Sequence, residues 1–107
     1  LYHWIDYPDA QREYDIVLAR VPDTPERLAE AIVAFVQRLR QGQLTKVPGV
    51  AETIDWAAAL LALGAGRLTA ELVDDTLGVV LKYEEDVQAI RGATAAAYLE
   101  ETAAGAA

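Results

Sequence analysis

The stretch Pro48-Gly49-Val50-Ala51-Glu52-Thr53-Ile54-Asp55-Trp56, continuing as Ala57-Ala58-Ala59-Leu60-Leu61-Ala62-Leu63-Gly64, decides the fold. Proline and glycine break the chain before it, and Gly64 is the residue type of a helix C-cap. Between these breakers lie about three turns rich in alanine and leucine, with Val50, Ile54, Ala57, Ala58 and Leu61 on one stripe. A helix apolar on nearly all sides belongs in the middle of a small bundle. The chain therefore reads as all-α, a compact bundle of about five helices packed around residues 51–63. Only the first turn departs from this pattern, where Glu52, Thr53 and Asp55 set polar groups beside Trp56. The free N–H groups and partial positive charge of a helix N-terminus are met either by such capping side chains or by an anionic ligand.

Composition narrows the function. A chain of 107 residues is long enough for one domain with a single core. Asp and Glu outnumber Lys and Arg by 17 to 9, for a net charge of −8, which argues against a nucleic-acid partner. No apolar run approaches the roughly 20 residues that span a bilayer, and no signal peptide is visible, so no membrane role is expected. The absence of cysteine rules out disulfides and thiolate metal sites, and is compatible with a cytoplasmic protein. Methionine is absent too, so residue 1 is not a translation start and the chain reads as a piece of a longer one.

Outward from the central stretch, the N-terminal Leu1-Tyr2-His3-Trp4-Ile5-Asp6-Tyr7-Pro8 is dense in aromatic rings and suits an extended segment, Pro8 holding Tyr7 away from helical angles. It packs either across one end of the bundle or, as a hinge, against a preceding domain. His3 is the only histidine and makes no metal site alone. Asp9 caps a first helix over about 10–20, with Glu13 in its first turn and Tyr14, Val17, Leu18 and Val21 as its apolar stripe. Thr24-Pro25-Glu26 opens a second helix as N-cap, N1 and N2. Leu28, Ile32, Phe35, Val36 and Leu39 form its buried face, and Glu26, Arg27, Glu30, Gln37, Arg38 and Arg40 a solvated one. Gly42 ends it, and Lys46 in the following loop is either a surface lysine or a cation near a ligand phosphate. Thr69 caps a fourth helix with Leu72, Val73 and Leu77 inward and Asp74 and Asp75 exposed. Gly78 weakens or kinks it, and Val79–Tyr83 is read as helical. A last helix runs from Glu84 to about Glu101 with Val87, Ile90, Thr94, Ala97 and Tyr98 on one side, and residues 102–107 fray.

No glycine-rich phosphate loop is present, no histidine or cysteine cluster, and no serine at all. Asp74-Asp75 and Glu84-Glu85-Asp86 lack the spaced ligands and glycine of a calcium loop. Nothing here makes the isolated chain an enzyme.

The order of these elements, with Tyr2-His3-Trp4-Ile5-Asp6-Tyr7-Pro8-Asp9 and Glu13, Val33-Ala34-Phe35-Val36, Pro48 through Ala57, and Leu77-Gly78-Val79-Val80-Leu81-Lys82-Tyr83, resembles the C-terminal lid of MoxR-type AAA+ ATPases. The likeness covers about residues 1–90 and points to the branch associated with maturation of carbon monoxide dehydrogenase and related molybdenum enzymes. It implies residues 1–8 as a hinge from an upstream AAA+ core and residues 9–101 as the helical lid. ATP and magnesium would bind the parent protein, an ATPase, and not the isolated domain. Tyr7 and Pro8 would lie beside the adenine, and Glu52 and Thr53 at the helix end that faces the phosphates. The partners implied are the upstream core, neighbouring ring subunits and a protein client. The turn Gly49–Thr53 departs from the family in having no arginine, and Glu52 repels phosphate there unless a basic group or a metal intervenes. The alternative function is an independent acidic helical module that binds a protein and has no nucleotide role.

Overall fold

The computed structural model describes residues 7–42 and 44–106, with side chains to residue 102. The aromatic run Leu1–Asp6, with His3 and Trp4, lies outside the described residues. Six helices and no strand occur among the residues described: α1 (Ala10–Arg20), α2 (Glu26–Arg40), α3 (Val50–Ala62), α4 (Ala70–Val80), α5 (Glu84–Ile90) and α6 (Ala93–Ala106). The all-α bundle is as expected, with one helix more.

Local chemistry sets most boundaries. The Asp9 carboxylate accepts the Arg12 N–H at 2.8 Å to start α1, and the Thr69 hydroxyl accepts that of Leu72 at 3.2 Å to start α4. At the end of α3, Gly64 takes φ +76°, and the N–H groups of Ala65 and Gly64 return to the carbonyls of Leu60 and Leu61. That is the two-bond glycine stop expected of this position. The start of α2 differs. Pro25 itself is extended, at φ −57° and ψ 139°, and its carbonyl accepts the Ala29 N–H, so the helix begins one residue later than Thr24 would set it. The Thr24 hydroxyl oxygen is buried without a partner among the described residues.

α2 supplies the largest share of the core. Leu28, Ile32, Phe35, Val36 and Leu39 are fully buried, as their spacing requires, and Ala29 and Val33 join them. The helix packs against α1, α3 and α6, whereas α3 packs against α1, α2 and α4. The middle of the bundle is thus shared between α2 and α3. The buried face of α3 is Thr53, Trp56, Ala57 and Leu60, rotated from the stripe expected. Val50, Ile54 and Leu61 are only half-buried, Ala58 is exposed, and Leu63 just beyond is 61% exposed. Alanine makes this possible, because exposing a methyl group costs little and Trp56 gains more by taking the interior.

The C-terminal third departs furthest from the sequence reading. α4 runs through Gly78 to Val80, and then Leu81 and Tyr83 turn extended. Only Val79 and Val80 of the segment read as helical belong to a helix. Burial of the Leu81 side chain, 2% exposed, holds the break in place. The single helix expected over 84–101 is two, parted at Arg91-Gly92, where Gly92 has φ +84° and its N–H donates to the Asp74 carboxylate at 3.1 Å. α6 continues through Ala106, across the region where fraying is expected. A Cβ at Gly92 meets nothing within 4 Å, so its substitution is opposed by backbone conformation alone. Gly92→Ala should therefore destabilise by about 1–2 kcal/mol, read as a lower urea midpoint, with no change in core packing.

Candidate functional site

The N-terminus of α3 meets the C-terminus of α2 and the first turn of α1 around one buried carboxylate. Glu13 is 0% exposed, yet its four acceptor positions are all taken. Arg40 donates to both oxygens, Nη1 to Oε1 and Nη2 to Oε2, each at 2.7 Å. Gln37 Nε2 adds a bond to Oε1 at 2.9 Å, and Thr53 Oγ1 one to Oε2 at 2.8 Å. Arg40 uses its remaining edge on the Pro48 carbonyl at 2.8 Å, and its guanidinium lies 4.4 Å from the centre of the Tyr7 ring. A planar fork suits this work: it grips a carboxylate with two bonds, stacks on an aromatic face and still reaches a carbonyl.

This cluster joins three of the four residues expected at a ligand. Tyr7 covers Arg40, the Pro8 carbonyl accepts from Gln37 at 3.4 Å, and Thr53 binds Glu13. Thr53 is itself 0% exposed, and its one proton is shared between Glu13 and the Gly49 carbonyl. Its hydroxyl therefore faces the interior and has no donor left for a ligand. Glu52 stands outside the cluster, one Oε1 accepting the Gly49 N–H at 2.8 Å. This is half of a capping box, since glycine has no side chain to return the bond. Its other oxygen lies 3.9 Å from Lys82 Nζ, a partly exposed pair.

Glu13, Gln37, Arg40 and Lys82 were assigned no site role from sequence, and Gln37 and Arg40 were expected on a solvated face. The Arg40 side chain is 8% exposed. A signal was present: Glu13 precedes Val17 by one helical repeat, which puts an acid on the buried side of α1 and demands a cation from another element. Lys82 gave no such signal, because its position depends on the break after α4.

The neighbouring loop is tied down separately. Asp86 is 3% exposed and accepts the backbone N–H groups of Thr45 and Lys46 at 2.8 and 3.0 Å, so Lys46 enters the structure through its backbone while its side chain is exposed. Burial pushes the Asp86 carboxyl up, but the bonds from Thr45 and Lys46 outweigh it and hold the pKa below the ordinary 3.8. A depressed folded-state pKa stabilises the fold above the unfolded value, and that contribution is lost as pH falls through the folded one. The stability gap between wild type and Asp86→Asn, read from urea midpoints, should be full at neutral pH and should close on acidification below 3.8.

Chemically, the α3 end offers an exposed cation, a capping carboxylate and the Tyr7 ring, while the one hydroxyl held against a carboxylate there, Thr53 on Glu13, is fully enclosed. No group of three or more histidine or acidic side chains among the described residues forms a metal cage. No helix among the described residues is long and apolar enough to cross a membrane. Comparison with protein-family models, curated proteins and solved structures finds no match to this chain.

Proposed function

We propose that this chain is the C-terminal lid of a MoxR-type AAA+ ATPase, contributing to ATP binding, ring assembly and the coupling of hydrolysis to chaperone-like remodelling or metalloenzyme maturation in the cytoplasm. The observation that carries the reading is Lys82 beside Glu52 at the α3 N-terminus. It offsets the acid at a turn that has no arginine and supplies a cation where the resemblance calls for one. Tyr7 and Pro8, fixed to α2 through Arg40 and Gln37, give a rigid junction for an upstream core, which would hold the catalytic groups and magnesium. The half-exposed Val50, Ile54 and Leu61 offer that core or a neighbouring subunit an apolar face.

The test is ATP binding by the longer protein that contains this chain. Lys82 is exposed, so Lys82→Ala leaves the fold intact. A lost charge-assisted contact is worth about 10–100-fold in affinity, and Lys82→Glu should cost more. Affinity unchanged in both variants sinks the nucleotide-facing role. The same apolar face on α3 favours a second reading, an acidic interaction module without a nucleotide. In that case Lys82 is silent, whereas Ile54→Asp abolishes partner binding.

A further inference from the structure

Between α1 and α2, the surface beside Tyr14 dips into a small open pocket of about 170 Å3. Ala10, Val33 and Ala34 give it apolar walls, and Gln11, Tyr14 and Glu30 supply its polar groups. Glu30 is the one charged side chain in this lining. Arg27, a turn earlier on α2, stands instead with Ala31 on the side turned toward Leu99 of α6. Negative charge dominates the pocket. Partial burial pushes the Tyr14 hydroxyl above its ordinary pKa, and the carboxylates of Glu26, Glu30 and Asp15 push it the same way. Among the described residues none of these three carboxylates has an ion-pair partner. Asp15 accepts the Gln11 amide, Nε2 to Oδ1 at 3.1 Å, and that bond leaves the Gln11 carbonyl oxygen as a further acceptor.

We infer that this pocket receives a single arginine side chain presented by a partner protein. A tyrosine ring and a carboxylate lining one pocket hold a cation by its face and by its edge, and a planar guanidinium serves both at once. A lysine ammonium is a strongly hydrated point charge and matches this pair less well. The chain already builds the combination once, where Arg40 pairs with Glu13 and lies over Tyr7. At Tyr14 and Glu30 the ring and the acid are in place, and the arginine comes from outside. Size sets the rest. Sites that enclose a whole small molecule run to roughly 300–1,000 Å3, so a pocket of about 170 Å3 takes one side-chain head and leaves its backbone outside.

NMR titration of the isotope-labelled chain with N-acetylarginine amide tests this, with the lysine and citrulline counterparts in parallel. Citrulline keeps the shape of the head and removes its charge. The arginine probe should give saturable shifts centred on the amides of Gln11, Tyr14, Glu30 and Ala34. The lysine probe should bind at least about threefold more weakly, and the citrulline probe at least about tenfold. Tyr14→Phe keeps the ring and should bind within about twofold of the wild type, whereas Tyr14→Leu should weaken binding about three- to tenfold. Glu30→Gln, at an exposed position, should weaken it about tenfold. Glu71→Gln removes the same charge from α4, which packs against neither α1 nor α2, and should change nothing. The remaining amide shifts verify the fold of each variant. Citrulline or lysine binding as tightly as arginine overturns the proposal, as does the absence of saturable shifts around Tyr14. So does a loss at Glu71→Gln equal to that at Glu30→Gln, because net charge would then be the attractor. Shifts at these amides on concentrating the chain without any probe would assign the pocket to a second copy and overturn a separate partner.

Discussion

Arg40→Ala should destabilise the chain by about 3–5 kcal/mol, measured as a fall in the urea midpoint at neutral pH. Glu13 would lose two of its four donors while remaining enclosed by α1, α2 and α3, and a buried charge without its partner is the costliest defect a core holds. A domain of this size is stable by only about 5–15 kcal/mol, so the variant sits near the edge of folding. Glu13→Leu combined with Arg40→Met removes both charges at similar volume and should recover most of the loss. Recovery stays incomplete, because Gln37 and Thr53 keep only their longer bonds to the Pro8 and Gly49 carbonyls and the Pro48 carbonyl loses its donor. If Arg40→Ala costs less than about 0.5 kcal/mol, the pair is hydrated and the account of this cluster fails.

The second large effect is at Trp56. Trp56→Ala should cost about 3–5 kcal/mol. The ring is fully buried, meets Phe35 edge to face at 5.6 Å, and donates its indole N–H to Thr76 at 2.7 Å. Trp56→Phe keeps most of the packing and should cost about 1–2 kcal/mol, since Thr76 retains its own donation to the Leu72 carbonyl. Leu63→Ala is the control, because its side chain is mostly in solvent and its loss should stay within about 0.5 kcal/mol. Thermal midpoints separate these cases, each kcal/mol being worth about 4–8 °C in a domain of this length. Equal losses at Trp56 and Leu63 would place the core elsewhere.

How much of this was legible in the sequence depended on whether the signal was local. The start of α1, the start of α4 and the stop after α3 follow from one side chain or one glycine each, and Asp9, Thr69 and Gly64 were readable as such. The buried face of α2 was readable because its polar and apolar residues are separated. That of α3 was not, because alanine and leucine surround the helix and periodicity cannot choose among equally apolar faces. Trp56 made the choice through volume and Thr53 through its bond to Glu13, both tertiary facts. The breaks at Leu81 and Gly92 were missed for a related reason. Propensity continues smoothly through Val79–Leu81, and a single glycine in a long helical pattern reads as tolerated until Asp74 is seen to hold its N–H. Of the residues singled out from sequence, Tyr7, Pro8 and Thr53 meet through Arg40, Gln37 and Glu13, whereas Glu52 stands apart on the Gly49 N–H. Glu13 and Arg40, which gather three of the four, are separated by a helix and a turn, and spacing alone does not pair them.

The bonds from Thr45 and Lys46 to Asp86 also have a meaning in time. They close a span of about 40 residues, so their entropic cost falls due only once α5 has docked. Outside the folding nucleus, the loss of such bonds falls mainly on the unfolding rate. Asp86 is in this sense a clasp on unfolding: removing it should hasten the opening of the chain while leaving its folding rate nearly unchanged.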